Sequence, residues 1–332
     1  MQTKQRIFYY DILRAYAIIG VIICHVLHFF GPLNTQFEII SQLTFHNLGR
    51  IGVPLFLMIS GALLLNRDYP NLNYFLKRRF ARIIYPFIFW IIIIALVYAY
   101  YKMNASFIWS IVIGNTSVTW YFWTLIGIYL AIPLINAFIK EYGEEGCKYF
   151  LTIWLITIIL NTMHSYPLFT NFNLDYFAGY IGYPVLGYYL SNKEFKLENK
   201  KMCIIGVMIF LISLIIFDYY TSNYELTTLS FTYQNIMIVS MAIGFFILIK
   251  YLDKLGKFNS IKENFIGKAI ISLSVCSYGM YFSHVIVVKI LSYHNPGSNV
   301  LFPLMFVLIV FLSWLLPYIL SKIPYVKNVC GV

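Results

Sequence analysis

Residues 10–25 read YDILRAYAIIGVIICH, and this stretch places two ionisable side chains, Arg14 and His25, inside a run of apolar residues. The run covers about 8–30, which is enough for the roughly 20 residues that a spanning helix needs. At about 100° per residue, the spacing leaves the two side chains about 20° apart around a helix and roughly 16 Å apart along its axis. The stretch therefore predicts a membrane helix with one polar face.

The composition extends this interpretation to the rest of the chain. Of its 332 residues, 60% are hydrophobic, 19% are aromatic and only 11% are charged, whereas soluble domains keep roughly 25% charged residues. The net charge of +11 does not indicate nucleic-acid binding, because the basic residues lie in loops between apolar runs. The five cysteines lack metal-ligand spacing, and no Walker, zinc-protease or dinucleotide motif is present. We therefore expect no metal and no nucleic acid.

Ten apolar runs are candidates for spanning helices. We predict an all-α, polytopic membrane protein with about ten transmembrane helices, forming a single membrane domain over residues 1–332. The second run is short, so we expect it to extend or tilt, and 106–113 predicts an interfacial or re-entrant segment. The ten runs lie near 8–30, 50–66, 80–101, 118–139, 148–165, 173–190, 202–219, 232–250, 267–292 and 300–321.

The distribution of basic residues tests this topology. If the N-terminus is cytoplasmic, 20 of the 24 Lys and Arg residues fall in predicted cytoplasmic loops or tails, among them Lys140 and Lys148 in one loop and Lys250 in another. The predicted outer side keeps Arg50, Lys102 and Lys289, and Arg14 lies within the first span. Because positive charge concentrates on the cytoplasmic side of membrane proteins, both termini are predicted to be cytoplasmic. The chain is thus expected in the cytoplasmic membrane as a multi-pass protein.

The polar face of the first helix is a candidate functional site, because ionisable residues within a membrane usually face a partner or a polar cavity. Asp11 is three residues before Arg14, so the two can pair on the helix surface. His25 is a natural general base near neutral pH. The alternative is structural: Arg14 reaches the inner headgroups, a hydroxyl satisfies His25, and His28 is solvated at the outer interface.

Four further features are candidate binding elements. Lys77, Arg78, Arg79 and Arg82 precede the third span, and Arg79 and Arg82 share a helix face that suits phosphate, or else anchors the helix to anionic lipid. Arg50 either binds an acidic acceptor or caps a loop. Trp120 and Tyr121 belong to an aromatic belt or a sugar-stacking platform, and His284 is a buried histidine for packing or function. Ser60 and Gly61 are interpreted as helix-packing residues.

Taken in order along the chain, these residues resemble the membrane-bound acyltransferase-3 family. The resemblance is carried by Arg14 with His25, by Arg50 with Val53-Pro54-Leu55-Phe56 and Ile59-Ser60-Gly61, and by Arg79, Arg82 and Pro86. Further on, Trp120-Tyr121-Phe122-Trp123 and 125–130 look like the enterobacterial common antigen and surface polysaccharide O-acetyltransferase subgroup. Ser277-Tyr278-Gly279 with His284 matches a late family motif.

The resemblance implies transfer of an acyl group, commonly acetyl from acetyl-CoA, to a hydroxyl of a surface or lipid-linked carbohydrate. By that resemblance His25 activates the hydroxyl, Arg14 holds the donor, and Arg79 and Arg82 bind CoA phosphates from the cytoplasmic side. Arg50, Trp120, Tyr121 and His284 are candidates for acceptor binding. Asp175 is a candidate acidic partner for His25, and Glu38 is a weaker candidate. Membrane lipids and accessory glycan-assembly proteins are the other expected partners.

Two rival functions remain open at this point. A glycan or lipid transporter or flippase would also use a buried polar path, although the chain shows no inverted repeat and no paired broken helices. A structural or regulatory membrane subunit would tolerate replacement of Arg14, His25 and Arg79.

Overall fold

The computed structural model describes residues 6–26, 35–69, 71–115, 119–163, 179–223, 233–294 and 302–332. Within these ranges every regular element is helical, which confirms the all-α prediction for the described part of the chain. The elements are α1 (Phe8–Val26), α2 (Gln36–Gly49), α3 (Gly52–Leu64), α4 (Leu72–Tyr100), α5 (Ala105–Val112), α6 (Trp120–Met163), α7 (Gly182–Asn192), α8 (Asn199–Asn223), α9 (Ile236–Lys254), α10 (Asn259–Lys262), α11 (Phe265–His294), α12 (Phe302–Leu320) and a 3₁₀ turn at Val326–Asn328.

Seven helical segments in the described ranges are long and apolar enough to cross a membrane, consistent with a polytopic membrane protein. The predicted second run extends, since α2 and α3 meet at Arg50 and together supply Glu38–Leu64. The count of ten spans and the cytoplasmic termini stay predictions. The seven segments are Phe8–Val26, Glu38–Leu64, Leu72–Tyr100, Trp120–Leu160, Asn199–Ser222, Ile236–Lys254 and Phe265–His294.

Two predicted runs differ from the observed helices. The runs 118–139 and 148–165 both lie on α6, where a backbone break at Gly143 (φ 56°, ψ −132°) replaces the expected loop. Glycine suits this position because it adopts positive φ without steric cost.

The run 173–190 is described only from residue 179 onward. The run 106–113 corresponds to α5, which at eight residues is about 12 Å long and too short to span.

The chain divides into two compact units. The first comprises Met1–Cys24, Leu33–Asn66 and Ile135–Ser274, and the second comprises His25–Pro32, Arg67–Leu134 and Val275–Val332. Helices α1, α6 and α11 contribute residues to both units. The prediction of a single domain over residues 1–332 stays a prediction.

In the first unit, glycines allow helix backbones to touch. A Cβ on Gly61 of α3 would lie 1.9 Å from the Pro184 carbonyl oxygen, and a Cβ on Gly187 of α7 would lie 2.0 Å from the Met58 oxygen. Both distances are far below van der Waals contact, so only glycine fits at either position. Because association of membrane helices depends on such close packing, the interpretation of Gly61 as a packing residue is confirmed.

Polar side chains join α2 to α8 in the same unit. Thr44 Oγ1 and Asn47 Nδ2 each donate to the Asp218 carboxylate, at 2.8 Å. Asn47 Nδ2 also donates to Thr221 Oγ1 at 3.0 Å. Hydrogen bonds of this kind hold helices together where the surroundings are apolar. The sequence pattern did not single out this cluster, because each member is an ordinary polar residue near a helix end.

Lys250 was assigned to a cytoplasmic loop, but α9 continues past it and buries it to 3% exposure. Its ammonium group donates to the carbonyl oxygens of Leu190 (2.9 Å) and Lys193 (2.8 Å) at the end of α7. The last carbonyls of a helix have no partner within that helix. Lys250 therefore closes the C-terminus of α7.

Lys250→Met should destabilise the protein, because it leaves two carbonyls at a buried helix end without a donor. The expected loss of unfolding free energy is about 1–3 kcal/mol, visible as a lower Tm in detergent. Lys254→Met is the matched control. Lys254 pairs with Glu194, whose side chain is 63% exposed, and such surface pairs contribute about 0–1 kcal/mol. Equal Tm values for the two variants would refute the helix-end role.

In the second unit, α4, α11, α12 and the C-terminal residues pack around aromatic side chains. The rings of Phe87 and Phe122 stack with centroids 3.7 Å apart, and Phe282 meets Phe87 at 6.0 Å. Trp90 Nε1 donates to the Cys330 carbonyl at 3.0 Å, and Tyr278 donates its hydroxyl to the Ile83 carbonyl at 3.0 Å. These bonds fix α4 and α11, the two helices that carry Arg79 and His284.

Candidate active site

His25 and His284 come together within the second unit. Their imidazole rings are 5.2 Å apart between centroids and are tilted by 36°. His25 lies in the last turn of α1 and is half-buried, whereas His284 lies within α11 and is 1% exposed. The sequence predicted both as site residues but gave no reason to bring them into contact, since they lie on the first and the eleventh helix.

His284 is oriented by its own helix. Its Nδ1 lies 3.1 Å from the carbonyl oxygen of Met280, one turn earlier on α11. Its other ring nitrogen, Nε2, is buried and has no hydrogen-bond partner among the described residues. The ring is thus held at one edge and presents an unused nitrogen at the other.

An aromatic wall extends from the histidine pair. Tyr281, one turn before His284, has its ring centroid 6.2 Å from the His284 ring and 5.6 Å from that of Tyr121. Tyr121 in turn contacts Trp120 at 5.9 Å. Tyr121 and Tyr281 are buried, at 6% and 5% exposure. The predicted pair Trp120 and Tyr121 is therefore connected to His284 through Tyr281, a residue that the sequence patterns did not single out.

Arg79 and Arg82 lie one turn apart on α4, as the spacing predicted, but their surroundings differ. Arg82 is exposed, whereas Arg79 is half-buried with its guanidinium 5.9 Å from the centre of the Phe75 ring. The hydroxyls of Tyr69 and Tyr129 lie within electrostatic range of Arg79. Burial raises the pKa of the Tyr69 hydroxyl, so that group remains a hydrogen-bond donor at neutral pH. Arg79 is the better enclosed of the two cations.

Arg14 and Arg50 belong to the first unit. Arg14 is half-buried on α1. Arg50 ends α2 and is 9% exposed, with its guanidinium 5.7 Å from the centre of the Tyr233 ring. Arg50 therefore lies inside the unit, beside the segment that precedes α9. Acceptor binding by Arg50 stays a prediction.

Asp11 has partners that the helix spacing did not reveal. Arg6 donates two hydrogen bonds to its carboxylate, at 2.6 and 2.7 Å, and Ser274 Oγ donates a third at 2.6 Å. Asp11 is 2% exposed, so these bonds compensate for burying its charge. Asp11 thus joins the chain before α1 to the first part of α11. Pairing of Asp11 with Arg14 stays a prediction.

Of the two acidic candidates for a partner of His25, the structure describes Glu38 and not Asp175. Asp175 lies outside the described residues, as does His28. Glu38 accepts from the Thr35 backbone N–H at 3.0 Å, and Thr35 accepts from that of Glu38 at 3.2 Å. This reciprocal pair is a capping box, so Glu38 contributes to starting α2.

One model of a known protein family matches nearly the whole chain. The model described as "Acyltransferase domain", Acyl_transf_3, matches residues 7–322. The chain belongs to the acyltransferase-3 family. Nearly all the described helices lie within the match, including those that carry the histidine pair and Arg79. No curated protein and no solved structure matches the chain significantly. Membership of this family makes the protein a membrane acyltransferase.

Proposed function

We propose that this acyltransferase-3 protein transfers an acyl group, most readily acetyl, from acyl-CoA to a hydroxyl of a surface or lipid-linked glycan at the cytoplasmic membrane. The proposal rests chiefly on the approach of His25 to His284 beside a wall of tyrosines. An acyl-transfer reaction needs a base for the acceptor hydroxyl, and histidine supplies one near neutral pH. Membership of the acyltransferase family supplies the class of reaction.

In the proposed reaction, His25 takes the proton of the acceptor hydroxyl while its oxygen attacks the thioester carbonyl carbon. A C–O bond forms, the C–S bond breaks, and the CoA thiolate leaves. The proton then passes from His25 to the sulfur, so that CoA is released as the thiol. Arg14 is proposed to hold the donor. Arg50, Trp120, Tyr121 and His284 are proposed to contact the acceptor, which fits the subgroup that O-acetylates surface polysaccharides.

Mass spectrometry of surface glycans from a deletion strain and a complemented strain tests the proposal. An acetyl increment that disappears on deletion and returns on complementation is the expected result. Loss of the entire glycan, with intermediates accumulating inside the cell, would favour a transporter or flippase instead. An unchanged glycan profile would contradict both and favour a structural subunit.

Arg79→Gln should raise the KM for acyl-CoA about tenfold or more and change kcat little, because the lost charge contacts the donor phosphates. A hydrogen bond to a charged group contributes about 1.5–3 kcal/mol, and each 1.4 kcal/mol corresponds to about tenfold in affinity. Arg82→Gln should raise KM less, since Arg82 is exposed.

Arg78→Gln is the matched control for that measurement. Arg78 is the exposed neighbour of Arg79, and its guanidinium donates to the Tyr74 hydroxyl at 3.0 Å. It should keep the KM of the wild-type protein. A KM that rises equally in the Arg78 and Arg79 variants would reduce Arg79 to a general contributor of positive charge.

A further inference from the structure

The hydrogen bond of His284 determines where its ring carries a proton. The Met280 carbonyl oxygen, 3.1 Å from Nδ1, can only accept a hydrogen bond, so Nδ1 must be the donor. In a neutral imidazole one nitrogen donates and the other accepts. Nε2 of His284 therefore carries a lone pair. A backbone carbonyl commonly selects the tautomer of a functional histidine in this way.

That lone pair lies in the protein interior, where an acceptor normally receives a hydrogen bond. Nε2 has no hydrogen-bond partner among the described residues, although His284 as a whole is only 1% exposed. Nearly all buried polar atoms in folded proteins are hydrogen-bonded, and an exception often marks a catalytic role. A merely structural histidine on α11 would be expected to satisfy both nitrogens.

The neighbouring ring is His25, the proposed base. With about 1.1 Å from each ring centre to a nitrogen and about 2.9 Å between nitrogens, an edge-to-edge imidazole hydrogen bond puts ring centres roughly 5 Å apart. The observed separation is 5.2 Å. Reorientation of the rings, without movement of α1 or α11, is therefore sufficient to form that bond.

We propose that Nε2 of His284 accepts a hydrogen bond from His25 when His25 takes up the proton of the acceptor hydroxyl. His284 is then a positioning residue: it orients the base and stabilises its protonated form. A carboxylate does the same for histidine in a serine-hydrolase triad. The inference rests on the proposed function, because it requires His25 to be the base. Because His284 is a neutral side chain, it suits an apolar setting in which a second charge would be costly.

Two substitutions separate the hydrogen bond from the packing. His284→Gln keeps a polar side chain whose amide oxygen can reach the place of Nε2, whereas His284→Leu fills a similar volume without an acceptor. Membranes that carry the native glycan would be supplied with radiolabelled acetyl-CoA, and label transfer would be measured at saturating donor. We expect kcat to fall about tenfold or more in the Leu variant and clearly less in the Gln variant. The KM for acetyl-CoA should be unchanged in both.

Two outcomes would overturn the inference: equal kcat values in the Gln and Leu variants, or a wild-type kcat in the Leu variant. If the wild-type protein itself transferred no label, the proposed function would fail first. If the wild type is active and His25→Ala is not, only the role of His284 is at stake.

A spectroscopic measurement covers the case in which the Leu variant does not fold. In ¹⁵N-histidine-labelled wild-type protein, the His284 signals, identified by their loss in His284→Gln, should show a protonated Nδ1 and an unprotonated Nε2. When the pH is lowered until His25 is protonated, the Nε2 resonance should shift in the wild-type protein and stay in place in His25→Ala. An Nε2 that is protonated at neutral pH, or that does not respond to protonation of His25, would contradict the proposal.

Discussion

His25→Ala should lower the rate of acyl transfer by about 10²–10⁴-fold, the range that a positioned general base usually contributes. The hydroxyl of a sugar is a poor nucleophile until its proton is removed, so loss of the base acts on kcat. Because His25 is only half-buried at the end of α1, we expect a small change in Tm. The measurement is glycan O-acetylation in cells together with label transfer from radiolabelled acetyl-CoA in membranes.

His294→Ala is the control for this experiment. His294 is exposed at the end of α11, with its Nε2 3.5 Å from the Tyr101 hydroxyl, on the same helix as His284. Its replacement should leave transfer unchanged. Normal O-acetylation in the His25→Ala strain, at wild-type protein abundance, would mean that His25 is not the base. A protein that tolerates replacement of Arg14, His25 and Arg79 alike would be a structural subunit.

Gly61→Ala should cause the largest loss of stability among single small substitutions. The new Cβ would lie 1.9 Å from the Pro184 oxygen, so α3 and α7 would have to separate. Overpacking usually costs about 1–3 kcal/mol, and we expect the upper end of that range or more, because the clashing atom belongs to the backbone. Gly187→Ala should behave alike, because its Cβ would lie 2.0 Å from the Met58 oxygen. Tm in detergent and abundance in the membrane measure the effect.

Gly127→Ala provides the matched control. No heavy atom lies within 4 Å of a Cβ built on Gly127, which is exposed on α6. Alanine is the better helix former by about 1 kcal/mol, so this variant should be as stable as the wild type or slightly more stable. If the Gly61→Ala and Gly127→Ala variants have the same Tm, the backbones of α3 and α7 are not in contact.

Much of the local structure could be predicted from apolar runs and their periodicity. The first helix was expected over 8–30 and is observed over Phe8–Val26, and the one-turn spacing of Arg79 and Arg82 holds on α4. The short α5 and the packing role of Gly61 were also predicted correctly. Each of these inferences depends on neighbouring residues along the chain, where helix geometry relates sequence spacing directly to position.

Helix ends and side-chain partners were predicted less well. Lys250 was assigned to a loop but closes α7 from within α9. The helix spacing did not predict that Arg6 and Ser274 bind Asp11. The pattern of charges from Lys140 to Lys148 indicated a loop, but α6 is interrupted only at Gly143. In the sequence, a charged residue marks the edge of an apolar run. It does not show that its side chain will donate hydrogen bonds to the end of another helix.

The amino-acid sequence alone predicted apolar membrane helices. A chain with only 11% charged residues has too few of them for a water-exposed surface, and its apolar runs are long enough to span a bilayer as helices. The sequence also placed Arg14 and His25 on one helix, since a regular turn relates their positions. Only the tertiary structure decided that the rings of His25 and His284 lie 5.2 Å apart, that Tyr281 connects the pair to Tyr121, and that Nε2 of His284 has no hydrogen-bond partner among the described residues. The physical reason is that a ring-to-ring distance between α1 and α11 depends on how whole helices pack, and periodicity within one helix carries no information about that packing.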